Sequence, residues 1–480
     1  MRHYYSAGAI RDAEAPLLAR LPGGVLMRRA AYGLATAIAR ELVARTGGVN
    51  GRRVCAVVGS GDNGGDALWA ATFLRRRGAA ADAVLLSPER THAAGLGAFI
   101  AAGGRVVQRV PATADLVIDG VVGIGATGPL RPAAAEVFGA VDAAGIPVVA
   151  VDIPSGVDVA TGATSGPHVH AALTVTFGGL KPVHALADCG RVELIDIGLD
   201  LPGADLVGFE AADVAARWPV PGRSDDKYTQ GVTGVLAGSA TYPGAAVLST
   251  GAAVAATSGM VRYVGSAAQQ VLSHWPEVIA TTEATSAGRV QAWVAGPGMG
   301  TDRAAADTLR FVLDTDLPVI VDADALTVLA AHPEFVAGRG APTVLTPHAG
   351  EFARLAPTVL PEGDWPGADR VAAARVMAER LGVTVLLKGN VTVIADPGSG
   401  RAYLNAAGGS WAATAGSGDV LSGTIGALLA AGLPAAEAAA AAAFVHARAA
   451  NLSAADPGPR PAPTSATRIL AHLRAAIATL

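Results

Sequence analysis

Short, nearly continuous apolar runs alternate along most of this chain with stretches where apolar residues recur every three or four positions. The first pattern is that of a buried strand and the second that of an amphipathic helix. Two helices are predicted over 9–46. Arg11, Asp12 and Glu14 open the first, and Pro22, Gly23 and Gly24 separate them. An apolar run from Val54 to Val58 ends in Gly59 and leads through a glycine-rich turn to a helical pattern over Ala67–Arg77. Strand-like runs follow at 82–86, 115–119, 147–152 and 172–176, with helical stretches around 91–102 and 132–144. Apolar strands separated by helices imply a parallel sheet covered on both faces, hence a Rossmann-like, doubly wound domain.

The alternation breaks at 201–230. Pro202, Pro219, Pro221, Gly222 and the polar run Ser224–Lys227 read as a linker. Strands are then predicted at 233–237, 259–264, 290–295, 318–322, 343–346, 383–388 and 391–395, with helices at 244–257, 302–313, 369–381, 418–431 and 434–450. A proline-rich surface excursion at 457–464 precedes a last helix to Leu480. A chain of 480 residues exceeds one ordinary core, and the expected domains are 1–203 and 209–480.

Composition narrows the class. Hydrophobic content of 51% with 16% charged residues is that of a well-buried globular protein. The positive mean hydropathy comes largely from alanine. The most apolar window, 427–444, is interrupted by Pro434 and Glu437, which argues for packed helices rather than a membrane span. A net charge of −4 without a basic run argues against nucleic acid as a partner. Two cysteines, Cys55 and Cys189, without a CxxC pair fit a reducing compartment, and the N-terminus lacks a signal-peptide pattern, so a cytoplasmic location is expected.

The first chemical signal is Gly59–Asp66, with four glycines in eight positions and the side-chain oxygens of Asp62, Asn63 and Asp66. Glycines before a helix let backbone amides approach an anion. The segments Asp119–Pro129 and Val151–Asp158 fall at the ends of later strands, where ligands of open α/β sheets bind. Oxygen donors on Asn63, Asp119 and Ser155 are of the type that holds a hard cation. Taken singly, each aspartate reads equally well as a turn or capping residue.

These segments resemble the NAD(P)H-hydrate epimerase family over about 1–200. The resemblance implies that Asn63, Asp119 and Ser155 bind potassium. It implies substrate contacts for Asp62, Asn63, Gly64, Gly65 and Asp66, for Gly123, Ile124, Gly125, Ala126, Thr127, Gly128 and Pro129, and for Asp152. From its position, Asp152 is also the candidate acid or base. Asp62 stands where the family usually has asparagine, and Ala67 where it usually has glycine. Lys181 and His184, after the 172–176 strand, read more readily as locally bonded residues than as catalysts.

The densest motif of the second half is Ala415–Gly423, preceded by Gly408 and Gly409. Backbone amides of Ser417, Gly418 and Asp419 would form an anion nest at a helix N-terminus. Asp419 would there accept a hydroxyl proton during phosphoryl transfer, against the plainer reading of a capping aspartate. Gly418–Asp419 resembles the ribokinase-like superfamily. Together with Lys227–Ser239, Tyr242–Ala246, Gly296–Gly300, Val321–Leu326, Thr346–Phe352, Leu387–Gly389 and Asn405, it resembles the ADP-dependent NAD(P)H-hydrate dehydratase family over about 209–480.

That resemblance implies hydrate contacts for Ala245, Gly298, His348 and Asp419. It places the nucleotide on Lys388, Gly389, Asn390, Val391, Thr392 and Gly418, with ADP as co-substrate and magnesium as its ion. Lys388 is expected to offer its cation to phosphates. Ala349 replaces a usual proline, and Trp411–Thr414 replaces a Met-Ala-Thr-Gly run.

The expected protein is thus an α/β chain with a Rossmann-like and then a ribokinase-like domain. It would epimerise the R and S hydrates of NADH and NADPH (NADHX and NADPHX) and dehydrate the S form with ADP. Small molecules are its expected partners, without nucleic acid or membrane, and a homo-oligomer is expected. The competing reading is a vitamin or sugar kinase carrying an accessory nucleotide-binding domain.

Overall fold

The computed structural model describes residues 1–125, 128–257 and 259–480. The chain divides into two compact units, His3–Ala204 and Asp205–Leu480, with Met1 and Arg2 counted in the second. The segment expected to be a linker carries structure of its own, a strand Leu206–Gly208 and a helix Ala211–Ala215. The strand pairs in parallel with Ala402 and Tyr403. Three residues are too few to show a period, so only the pairing reveals it.

The first unit holds a seven-stranded sheet in the order Arg105–Val106, Ala80–Leu85, Arg53–Val58, Leu116–Gly120, Val148–Val151, Leu173–Phe177 and Arg191–Ile195. Every pairing is parallel. The interior strands are buried along their length, which explains their unbroken apolar runs. Arg191–Ile195 is a half-exposed edge whose charges hide it from a hydrophobicity scan.

One boundary departs from expectation in a way that matters for the site. The helix predicted from Ala67 begins at Asp62, so Asp62–Asp66 form its first turns rather than a loop. The glycines there serve close packing. A Cβ on Gly64 would stand 2.5 Å from the Gly59 carbonyl oxygen. Gly120, on the adjoining strand, similarly leaves room for the helix: a Cβ there would stand 2.4 Å from Ala67 Cβ.

The second unit is built on a sheet in the order Leu206–Gly208, Ala402–Ala406, Val391–Ala395, Thr384–Leu387, Thr343–Leu345, Val319–Val321, Ala292–Ala295, Val232–Leu236, Met260–Val264 and Ile279–Thr281. Pairing is antiparallel on both sides of Val391–Ala395 and parallel elsewhere among these strands. The alanine-rich window folds as two helices, Ser417–Ala430 and Ala435–Ala455, broken before Pro434. Ser417–Ala430 approaches Pro243–Ala256 so closely that a Cβ on Gly423 would stand 2.1 Å from the Ser249 carbonyl oxygen. Two short amphipathic helices, Asp324–Ala331 and Ala349–Val359, were not predicted; the second contains Pro357, which reads as a break in sequence. Among the described residues no helix is long and apolar enough to cross a membrane.

Candidate active sites

In the first unit, the chemistry gathers at the carboxyl ends of the central strands. Asp119 is fully buried near the end of Leu116–Gly120. Its Oδ1 accepts from Ser155 Oγ at 2.7 Å and from the Val121 amide at 3.2 Å, and its Oδ2 accepts from the Ser155 amide at 2.8 Å. Burial pushes its carboxyl up to about 6 against these hydrogen bonds. Asn63 lies beside this pair, donating Nδ2 to the carbonyls of Val122 at 2.6 Å and Val151 at 2.7 Å. Its Oδ1 faces Gly123, where a Cβ would come within 2.8 Å. The three residues expected to hold a cation are thus brought together around the 121–123 turn. No cationic side chain pairs with Asp119 among the described residues.

Asp152 follows Val148–Val151 with a left-handed backbone, φ 66°. Such a conformation costs a non-glycine residue about 1–3 kcal/mol and is retained where surrounding contacts enforce it. Here the enforcement is visible. Asp152 Oδ1 accepts from the buried Lys181 Nζ at 2.6 Å and from Thr176 Oγ1 at 2.8 Å. Lys181 Nζ also donates to Thr176 Oγ1 at 2.8 Å and to the Phe177 carbonyl at 3.1 Å. Burial works to raise the Asp152 carboxyl, but the Lys181 charge and hydrogen bond outweigh it and hold the group below the usual range. His184 Nδ1 accepts from the Lys181 amide at 2.9 Å, so the proton sits on Nε2 and is given to the Asp152 carbonyl at 2.8 Å. Burial, reinforced by the Lys181 charge, lowers that imidazole to about 4 and keeps it neutral.

Asp66 behaves oppositely. It is buried, and its Oδ1 has no hydrogen-bond partner among the described residues. Burial first, then the charges of Asp152, Asp62 and Glu14, hold its carboxyl well above the usual range. Asp62 is exposed, Gly64 and Gly65 are buried, and Gly125, Gly128 and Pro129 are exposed. The Ile124 carbonyl accepts from Arg11 at 3.4 Å. Ala126 and Thr127 lie outside the described residues.

In the second unit, strand ends again supply the groups. Asp322, one residue past Val319–Val321, is buried and accepts from Lys388 Nζ at 2.8 Å on Oδ1 and from Ser422 Oγ at 2.8 Å on Oδ2. Lys388 also lies 3.6 Å from Glu351. The cation expected to face phosphates is thus also paired with carboxylates of the protein. Burial works against its charge, but Asp322 and Glu351 raise its affinity for the proton and keep it an ammonium. The ammonium stands over the start of Ser417–Ala430: a Cβ on Gly418 would lie 3.5 Å from Nζ and 3.9 Å from Asp322 Oδ2. Asp419, in the first turn, has its carboxyl pushed up to about 7 by burial and then by the Asp322 charge, against the pull of Lys388.

His348 caps Ala349–Val359. Its Nδ1 accepts from the amides of Gly350 at 3.0 Å and Glu351 at 3.3 Å. Capping does not remove it from the site, because it also lines a cavity of about 510 Å3 with Lys388, Gly389, Asn390, Thr392 and Gly418. Val391 lines no part of that cavity; its side chain is buried in the sheet. Ala245 and Gly298 meet each other instead: a Cβ on Gly298 would stand 3.0 Å from Ala245 Cβ. Asp324 Oδ2 accepts from the Gly300 amide at 2.9 Å, tying that turn to the strand end bearing Asp322.

Several residues carry more of these sites than sequence reasoning assigned them. Lys181 and His184 were read as local and prove to frame Asp152. Asp322 stood inside a recognised segment without a role, although its place directly after an apolar strand was a usable signal. Its neighbour Ala323, φ 49°, and Asp152 are the two non-glycine residues with left-handed backbone among those described, one in each site.

Two α/β units, each with a buried carboxylate–lysine pair at the carboxyl ends of parallel strands, have the architecture of an α/β enzyme. Residues 233–472 match the family profile described as NAD(P)H-hydrate dehydratase, and residues 23–183 match that of YjeF-related protein N-terminus. The chain is 75% identical over 480 residues to the bifunctional NAD(P)H-hydrate repair enzyme of Mycobacterium leprae (strain TN), covering 100% of both chains. It is 40% identical over 447 residues to the bifunctional NAD(P)H-hydrate repair enzyme of Corynebacterium glutamicum, covering 78% of this chain and 77% of that one. Among solved structures, a ribokinase-like superfamily protein from Enterococcus faecalis V583 is similar in fold with a TM-score of 0.50 at 23% identity, covering 58% of this chain and 98% of that one. The chain belongs to the family of bifunctional NAD(P)H-hydrate repair enzymes. The reading as a simple vitamin or sugar kinase gives way to this full-length match.

Proposed function

We propose that the first unit interconverts the R and S hydrates of NADH and NADPH and that the second dehydrates the S form at the expense of ADP. Hydration places a hydroxyl on the ring carbon next to the ring nitrogen. In the second unit Asp419 takes the hydroxyl proton as its oxygen attacks the terminal phosphorus of ADP, releasing AMP. Phosphate then departs with its electron pair and the neighbouring carbon loses a proton, which restores the double bond. Turning hydroxyl into phosphate supplies the leaving group, so a ribokinase-like site suits a dehydratase.

The observation that carries this reading is Asp419, with a carboxyl near 7, at a helix N-terminus beneath the Lys388 ammonium. Hydrate contacts fall to Ala245, Gly298, His348 and Asp419, and nucleotide contacts to the 388–392 segment and Gly418. Among the described residues no group of three or more His, Cys, Asp or Glu side chains is placed to hold a metal. Magnesium would arrive with the nucleotide, where it neutralises phosphate charge. Incubation of the purified chain with S hydrate and ADP is expected to restore reduced-cofactor absorbance with one AMP and one phosphate per turnover. Phosphate retained on the product would reject the assignment.

Potassium fits Asn63, Asp119 and Ser155 because Asp119 is a fully buried anion with no cationic partner among the described residues. The ion would balance that charge and fix the 121–125 turn beside the substrate. Exchanging potassium for choline is expected to slow epimerisation and to lower the melting temperature of the first unit by a few degrees, about 1 kcal/mol of linked binding. Asp119→Asn should abolish the difference between the two salts, and a melting temperature indifferent to potassium in the wild type would count against the site. Cys55 and Cys189, both free and buried, support a cytoplasmic setting.

A further inference from the structure

Asp66 is a buried carboxyl that the fold leaves without work. It sits on the second turn of Asp62–Arg76, 8% exposed, with Oδ1 unpartnered among the described residues. Buried polar groups are otherwise almost always satisfied, so an orphan at a strand-end crevice marks a place for a ligand. Asp152 stands near enough for its charge to bear on Asp66, yet its surroundings differ in kind, because Lys181 and Thr176 saturate its Oδ1. Two carboxyls in one site with opposed environments are the usual layout of an acid and a base.

We propose that Asp66 is the general acid and Asp152 the general base of hydrate epimerisation, with Lys181 as the positioning residue that keeps Asp152 ionised. This rests on the reading of the first unit as an epimerase and adds its missing chemistry. Asp66 gives its proton to the hydroxyl of the hydrate. The carbon–oxygen bond breaks, water leaves, and the ring-nitrogen lone pair forms a carbon–nitrogen double bond. Water adds to the other face of that carbon, Asp152 takes one of its protons, and the π pair returns to nitrogen. One proton has moved from Asp66 to Asp152, and exchange with solvent resets both. The environments agree with this direction: burial and three neighbouring carboxylates keep Asp66 protonated, whereas Lys181 keeps Asp152 charged.

The groups bearing on Asp66 are Asp62 from its own helix, Glu14 from Ala7–Arg20, and Asp152 with its partners Lys181 and His184. Glu14 is also shifted upward, by burial first; Arg11 of the same helix bears on Glu14 but is not among the groups that shift Asp66.

The test uses the full chain, R hydrate and no ADP, with the isomers separated chromatographically. Asp66→Asn is expected to lower kcat for inversion by about 10²–10⁴-fold with KM little changed, while ADP-dependent turnover of S hydrate persists. Asp66→Leu, whose side chain needs no partner at that depth, should show the same loss. Both should melt at or above the wild-type temperature. In water enriched in ¹⁸O, the wild type should place one solvent oxygen in the hydroxyl per inversion. Either folded variant keeping more than a third of the wild-type rate, or inversion without oxygen exchange, overturns the proposal. A wild-type chain that fails to invert R hydrate sinks the epimerase reading itself.

Discussion

Asp419→Asn should leave a folded chain that binds ADP within a few-fold of the wild type and dehydrates S hydrate about 10²–10⁴-fold more slowly. Among the described residues the side chain makes no hydrogen bond that the amide would lose, and burial with the nearby Asp322 already disfavours its charge. Stability should therefore hold or rise, and the loss should fall on kcat. A general base works only when ionised, so wild-type kcat should climb as pH rises through about 7 and level off above it. The variant should lack that limb. Retention of more than a tenth of the wild-type rate would remove Asp419 from the chemistry and leave it as a cap on Ser417–Ala430. Lys388 and Asp322 set the height of that pKa: removing the lysine should move the limb upward, because burial and Asp322 would then act unopposed.

The second large effect is expected at Lys181. Its side chain is 1% exposed and pairs with an Asp152 side chain that is 9% exposed. Removing one member of a buried pair strands the other, at a cost of about 3–5 kcal/mol. Lys181→Met should accordingly lower the melting temperature of the first unit by about 10 °C and abolish epimerisation, because Asp152 would hold its proton. The sign with pH separates the two chains. In the wild type the Asp152 carboxyl lies lower in the folded state than in the unfolded one. Its contribution is therefore present above the unfolded value and is lost as pH falls through the folded one. In the variant the Lys181 charge and hydrogen bond are gone; burial, the largest influence, outweighs the remaining Thr176 hydrogen bond and His184, and the folded value rises. Stability should then be greatest in acid and decline as pH rises above the unfolded carboxylate value. The double variant Lys181→Met, Asp152→Asn should regain most of the lost stability, since no charge is left unpaired, yet stay inactive as an epimerase. A single variant that melts with the wild type would show that the ion pair does not brace the site.

Much of the molecule could be read from the order of residues alone. The apolar runs of the central strands are unbroken because both faces of each sheet are covered, and that pattern placed Arg53–Val58, Leu116–Gly120, Val148–Val151 and Thr384–Leu387 without ambiguity. The motif segments were also legible, because glycine and acid spacing at strand ends is local. Edges and three-residue strands were not: Arg191–Ile195 and Leu206–Gly208 lack a run long enough to carry a period. The glycine-rich segment at 59–66 read as a loop because glycine is a poor helix former. It folds into helix from Asp62 because packing against Gly59 and Gly120 outweighs propensity.

The chain's own pattern thus determined two α/β units, their strand–helix rhythm and the segments where chemistry would gather. Only the tertiary structure decided which acids are charged. Asp66, Asp119, Asp152 and Asp419 are the same residue type, and no sequence spacing tells them apart. Their differences come from groups distant in the chain: Lys181 beside Asp152, Ser155 on Asp119, Glu14 and Asp152 bearing on Asp66, and Asp322 with Lys388 around Asp419. Charge in a buried site depends on solvent exclusion and on neighbours within a few ångströms, and both exist only once the sheets have brought their strand ends together.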